Sequence, residues 1–180
     1  GQTVDEINAL RQYLKTKKGA KSIAFLARNE SDAKNQQVEG VEAAKKLGLK
    51  VVAEQDSYEP GTKDFMPVMT KIIKTKPDHI VLSGVAPADA PLLNKAARDL
   101  GFKGTISTET GQDSKILAQV AGDKAKGFMS VGGASTPSIQ SDYMKEFIGA
   151  YKKRVGEWND EAGTKVYALE LILAVLKKNP

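Results

Sequence analysis

Between Pro77 and Glu109 the chain reads PDHIVLSGVAPADAPLLNKAARDLGFKGTISTE, and this stretch limits the fold more than any other. His79-Ile80-Val81-Leu82-Ser83 is short, partly β-branched and preceded by Pro-Asp, which marks a buried strand. Gly84 to Asp89 follows as a loop at the strand's carboxyl end, with Pro87 suited to the loop or to a helix start. Leu92, Leu93, Ala96, Ala97 and Leu100 recur at helical spacing, and Gly101 closes that helix. Gly104 to Ser107 makes the next strand, with Thr108-Glu109-Thr110-Gly111 beyond its carboxyl end. Ligands of open parallel sheets bind in the crevice at such ends. The two loops therefore form adjacent walls of a candidate site.

The same grammar recurs on either side. Thr3 and Glu6 have capping-box spacing, and Val4, Ile7, Leu10 and Leu14 keep a helical period. Ser22 to Ala27 is a first strand, followed by the polar loop Arg28 to Asp32. A helix carries Val38, Val41, Ala44 and Leu47 and ends at Gly48. Lys50 to Ala53 is a second strand, and Tyr58 to Thr62 has turn chemistry. Phe65, Val68, Met69, Ile72 and Ile73 predict a helix that tolerates Pro67 in its first turn. Beyond Glu109, Ile116, Leu117 and Val120 predict a short helix to Gly122, and Gly127 to Val131 a fifth strand. Alternating strands and helices predict an α/β fold: a doubly wound, mostly parallel five-stranded sheet in the order 2-1-3-4-5, with helices on both faces.

From Gly132 to Pro137 the alternation breaks, which reads as a linker or crossover. Tyr143, Met144, Phe147, Ile148 and Tyr151 predict a helix, followed by a polar loop from Lys152 to Asn159 that contains Trp158. The last helix, Val166 to Leu176, is apolar on nearly every side except at Glu170, so it needs cover. Two covers are open: self-association through Val166 to Leu176, or a partner outside this chain.

Charge and motif content narrow the function classes. The net charge of +5 comes from lysine, with only four arginines, and the lysines fall mostly near helix ends. No cluster of Arg with aromatics suggests a nucleic-acid partner. The absence of cysteine excludes thiolate chemistry. The chain has no Walker A loop, GxGxxG, GxSxG or HExxH, and its single histidine, His79, supplies neither a metal cluster nor a triad. The reading is non-enzymatic, with no cofactor and no metal.

Several strings, in order, resemble the carboxyl-side lobe of type I periplasmic binding proteins of the leucine/isoleucine/valine-binding kind. They are Glu59-Pro60-Gly61-Thr62-Lys63-Asp64-Phe65, Pro77-Asp78-His79-Ile80 running to Gly84, and Arg98-Asp99-Leu100-Gly101-Phe102. Ala121-Gly122-Asp123 before Lys126-Gly127-Phe128 and the Tyr167-Ala168-Leu169 helix complete the set. The resemblance implies that residues 1–133 form one ligand-binding lobe and that residues 134–180 cross the hinge and give helices to the partner lobe. It also implies a periplasmic or otherwise extracytoplasmic location, directed by a signal outside these residues.

The implied function is that of a solute receptor of an ABC-type importer. It would bind an amino acid or related small molecule between two lobes and deliver it to a membrane permease. A ligand-sensing regulatory domain of the same fold, and a flavodoxin-like enzyme or nucleotide-binding domain, are the alternatives.

The implied ligand contacts come from three strand-end loops: Arg28, Asn29, Glu30 and Ser31; Val85 and Ala86; and Thr108 and Glu109. Glu109 resembles the family's acidic group that meets an amino acid's ammonium, though it also suits a helix cap. Glu30-Ser31 and Val85-Ala86 stand where the family often carries aromatic rings. That departure leaves room for a bulkier or more polar ligand than a branched aliphatic amino acid.

Overall fold

The computed structural model describes residues 3–131, 141–158 and 167–178, with side chains from residue 8 in the first stretch and from residue 172 in the last. The capping-box side chains of Thr3 and Glu6, the break from Gly132 to Pro137, Val166 and the side chain of Glu170 lie outside the described residues. The chain divides into two compact units, Gly1–Thr110 with Ser114–Val131, and Gly111–Asp113 with Gly132–Pro180.

In the first unit the elements follow as α1 (Thr3–Lys17), β1 (Ser22–Arg28), α2 (Ser31–Lys46), β2 (Lys50–Tyr58), α3 (Met66–Lys74) and β3 (His79–Ser83). Then come α4 (Asp89–Asp99), β4 (Thr105–Thr108), α5 (Ser114–Ala121), a 3-10 turn (Gly122–Ala125) and β5 (Phe128–Ser130). All strand pairs are parallel and the order is β2-β1-β3-β4-β5, the doubly wound arrangement expected from the alternation.

Period-two alternation divides the core between the two faces of the sheet. Ala24, Leu26, Ile80, Leu82 and Ile106 point to one side, where Met69 and Ile72 of α3 and Leu93 and Ala97 of α4 complete the larger core. Ile23, Phe25 and Val81 point to the other, against Val41 and Ala44 of α2. Leu10 and Leu14 of α1 cover Met129 and Val131 near the β5 edge. Full burial of each such aliphatic side chain contributes roughly 1.5–3 kcal/mol.

β2 extends five residues past the strand expected from sequence and takes in Tyr58, which the sequence placed in a turn. The extension carries Glu54, Gln55, Asp56 and Ser57, polar residues of which Asp and Glu are depleted in strands. They are tolerated because β2 is an edge strand that pairs only with β1, across a shifted register near Ala24. Tyr58 itself is buried, with its ring edge-on to Phe65 at 5.2 Å. The turn proper starts at Glu59, whose carbonyl accepts from the Thr62 N–H at 3.1 Å, with Gly61 at φ 82°.

After α1, α2 and α4 the left-handed position is filled by Gly19, Gly48 and Gly101, where a side chain would be strained. After α3 it is filled by Lys76 at φ 53°, the single described non-glycine residue at positive φ.

Within the second unit, α6 (Asp142–Val155) starts at Ser141, whose hydroxyl accepts the Met144 N–H at 3.2 Å. The helix outruns the polar loop expected from Lys152 and ends at Gly156, φ 101°. Trp158 folds back so that Phe147 and Tyr151 meet its ring edge-on at 6.2 and 5.3 Å. An indole buries its large apolar face wherever rings are in reach, so this loop end packs. On α7 (Tyr167–Lys178), Ile172, Leu173 and Leu176 are about half exposed, which leaves apolar area of that helix open to water. Among the described residues no helix is long and apolar enough to cross a membrane.

Candidate functional site

The strand order reverses between β1 and β3, so the loops leaving these strands diverge and open a crevice at the carboxyl edge. Gly84, φ 57°, lets the β3 loop lie against the first turn of α2. A Cβ there would meet the Cβ of Ala33 at 2.4 Å. Any larger residue would push the loop off α2 and reshape the crevice.

The β1 loop is held by its own polar groups. Asn29 donates its backbone N–H to the Tyr58 carbonyl at 2.7 Å and its side-chain amide to Glu59 Oε1 at 2.5 Å. Arg28 Nη1 pairs with Glu30 Oε2 at 3.1 Å. Glu30 occupies the N-cap of α2 without capping it through its side chain, and Ser31, the first residue of that helix, is exposed. In the β3 loop Val85 is buried and Ala86 half-buried. The Asp89 carboxylate at the start of α4 accepts from the Tyr58 hydroxyl at 2.9 Å. Burial, and then that bond, push the Tyr58 phenol well above its ordinary range. Tyr58 and Glu59 thus tie the loops after β1, β2 and β3 together.

At the end of β4, Thr108 is buried and donates its hydroxyl to the Thr110 carbonyl at 2.9 Å. Glu109, 1% exposed, turns under the sheet, where Oε1 accepts from Arg11 Nη2 of α1 at 2.5 Å. Both side chains of this pair are fully buried. The guanidinium carbon lies 5.2 Å from the Phe25 ring centroid. Gly40 of α2 backs the pair so closely that a Cβ would come within 2.5 Å of Arg11 Nη2 and 2.9 Å of Glu109 Oε1. Desolvation pushes the Glu109 carboxyl up and the Arg11 guanidinium down, and their mutual attraction opposes both shifts. Arg11 Nε and Nη1 find no partner among the described residues.

The buried polar seam continues along β3 and β4. His79 is fully buried, with Nδ1 2.6 Å from the Thr105 hydroxyl and Nε2 2.8 Å from the Ser107 hydroxyl. Desolvation first, and the Arg11 charge second, lower its pKa to about 3, so the ring is neutral at physiological pH. Its partners make it a structural cross-link between two strands. Among the described residues no group of three or more His, Cys, Asp or Glu side chains could hold a metal ion.

The expected residues therefore divide in two. Arg28, Asn29, Glu30, Ser31, Val85 and Ala86 line the β1 and β3 loops, whereas Thr108 and Glu109 sit beneath the end of β4. Sequence reasoning missed Arg11, Tyr58 and Asp89. Two signals for Arg11 were present: it stands four residues after Ile7 and three before Leu14, on the apolar face of α1, and Gly40 inside a helix marks a packing reason.

A family description, periplasmic binding protein, matches residues 1–179. No curated protein matches the chain. Among solved structures it is similar to a leucine-binding protein from Thermotoga maritima MSB8, at 22% identity and TM-score 0.80, over 94% of this chain and 48% of that one. An extracellular ligand-binding receptor from Rhodopseudomonas palustris HaA2 shares 22% identity at TM-score 0.83, over 96% of this chain and 50% of that one. A fatty acid ABC transporter substrate-binding protein from Thermomonospora curvata shares 26% identity at TM-score 0.69, over 86% and 40%. The chain spans about half the length of these proteins or less.

Two outcomes follow for the buried seam. Glu109→Gln leaves a buried guanidinium without its counter-charge and should cost about 3–5 kcal/mol in urea unfolding. Combining it with Arg11→Met should recover most of that loss; a double variant as unstable as the two single losses summed would show the pair to be uncoupled. His79, whose folded pKa of about 3 lies below the ordinary 6.5, binds its proton more readily in the unfolded chain. Its contribution is complete above pH 6.5 and is lost toward pH 3, at about 1.4 kcal/mol per pH unit. Glu109, with a raised pKa, acts in the opposite sense, adding stability as pH falls through its folded value. His79→Asn should therefore flatten the acid loss of stability, and an unchanged slope would contradict the buried neutral ring.

Proposed function

The chain belongs to the periplasmic binding protein family, and on that premise we propose that it forms the carboxyl-side lobe of a solute receptor serving an ABC-type importer. The ligand, an amino acid or related small molecule, sits between this lobe and a second one, and the closed receptor hands it to a membrane permease. The family name points to an extracytoplasmic place of work. The observation that carries the proposal is the convergence of three tied strand-end loops on the topological switch point, in a chain about half as long as the solved structures it resembles.

In this reading Arg28, Asn29, Glu30 and Ser31 supply polar contacts from one wall, and Val85 and Ala86 supply an apolar one. Thr108 and Glu109 form the floor, and Glu109 meets the amino group of an amino-acid ligand through Oε2, the carboxylate oxygen that Arg11 does not engage. Residues 134–180 cross the hinge and contribute helices to the second lobe, which covers the open apolar side chains of α7. The small residues Val85 and Ala86 leave volume for a bulky or polar ligand side chain.

A thermal-shift screen of amino acids, short amides and aromatic acids tests this, on the chain alone and on the two-lobed receptor to which the proposal assigns it. A ligand at about a hundred times its Kd stabilises by roughly 2.7 kcal/mol. A shift in the two-lobed protein that is weak or missing in the single lobe is the expected result. Silence from both overturns the receptor reading. Equal shifts with an amino acid and its deaminated analogue would remove only the role of Glu109.

A further inference from the structure

The edge of the sheet opposite the crevice carries a second pattern. Each of the five strands is entered through a lysine: Lys21 before β1, Lys50 at the first residue of β2, Lys76 before β3, Lys103 before β4 and Lys126 before β5. All five are exposed, as is Lys18 at the end of α1. Parallel topology brings every strand start to one edge, so residues scattered over a hundred positions form one row. At a strand spacing of about 4.8 Å the row is on the order of 20 Å long. Lys18 and Lys103 share the wall of a depression of about 370 Å³, and Lys103, Lys124 and Lys126 line a second of the same size beside it.

The acids at this edge are fewer than the lysines: Asp123 lines the second depression beside Lys124 and Lys126. Asp78 is taken up by the N–H groups of Lys21 and Ser22, at 2.8 and 2.9 Å. Asp99 is held between Lys95 and Lys124. By contrast the crevice edge mixes Glu30, Asp32, Glu59, Asp64 and Asp89 with Arg28, Lys34 and Lys63, so the excess of positive charge gathers at the strand-entry edge.

Complementing helix dipoles accounts for the last-turn lysines Lys15, Lys17, Lys45 and Lys46. It does not account for Lys21 and Lys103, which lie beyond the helices, while Lys126 is the C-cap of the 3-10 turn. Lys76, one residue past the C-cap of α3, is placed for the dipole too, yet its backbone holds the left-handed conformation that glycine fills after α1, α2 and α4. A cation is kept there against the local conformational preference.

We infer that this lysine edge is an adsorption surface for an anionic lipid bilayer, on which the lobe rests with its ligand crevice facing away. The chemistry favours a lipid surface over a nucleic acid. The row is made of lysine, the guanidinium of its nearest arginine, Arg98, is engaged by the Phe102 and Gly104 carbonyls, and among the described residues no cluster of aromatics offers a stacking platform there. Diffuse attraction of lysine ammoniums to a charged plane needs none of these.

Co-sedimentation of the chain with vesicles tests the inference without any ligand. Vesicles of phosphatidylcholine mixed with phosphatidylglycerol should retain the chain at low salt and release it at high salt, and phosphatidylcholine alone should not retain it. Lys103→Glu with Lys126→Glu should weaken retention about tenfold or more, since each lysine near such a surface is worth roughly fivefold. Lys34→Glu with Lys63→Glu changes the net charge equally at the crevice edge and should weaken it far less. Circular dichroism confirms that both pairs fold. No retention at low salt overturns the inference, as does equal weakening by the two pairs, which would mean attraction by net charge alone. Tighter binding to a short DNA duplex than to the vesicles overturns it in favour of a nucleic-acid partner.

Discussion

Parallel pairing sends every strand's carboxyl end, and every following helix's amino end, to the same edge of the sheet. That one constraint arranges the rest of the first unit. It collects the loops after β1, β2, β3 and β4 into a crevice, although they are far apart in sequence. It also collects the strand entries on the opposite edge, so that lysines placed one per strand become a continuous basic row. The two edges need no long-range design beyond the alternation of strand and helix.

Between the edges lies a core whose two faces differ in kind. The face against α3 and α4 is aliphatic from β1 to β4. Toward β3 and β4, the face against α1 and α2 carries a line of polar groups: His79 with Thr105 and Ser107, then Glu109 with Arg11. Burying an ion pair is seldom a net gain in stability, because desolvation opposes the attraction. What such a pair does well is penalise alternatives, since neither partner can be buried alone. Here it fixes α1 against the end of β4, next to the loop that the proposed site uses, with Gly40 of α2 leaving room for it. The floor of the crevice is thereby pinned from below, while Tyr58, Asp89, Asn29 and Glu59 pin its walls from the side.

The strand and helix alternation, the sheet order and most elements were legible in the sequence because burial imposes periods of 2 and 3.6 on the apolar residues. The misses share a physical cause. β2 was read short because an edge strand tolerates Glu54 to Ser57, which erases the apolar signal. α6 was read short because its last turn is solvated and basic, which looks like a loop until Trp158 is seen packing on Phe147 and Tyr151. At the candidate site, resemblance pointed to the loop residues, but the partner of Glu109 lies 98 residues upstream, on a helix read only for its apolar stripe. Pairings of that kind depend on topology, and one sequence does not encode them locally.

The central claim is that the carboxyl edge of the sheet holds the ligand. Hydrogen exchange of the two-lobed receptor, with and without a solute found by screening, tests it most directly. The account predicts new protection at Arg28 to Ser31, Gly84 to Asp89 and Thr108 to Thr110, with the strand-entry edge unchanged. Protection confined to the opposite edge, around Lys18 to Lys21 and Lys103 to Thr105, would contradict it.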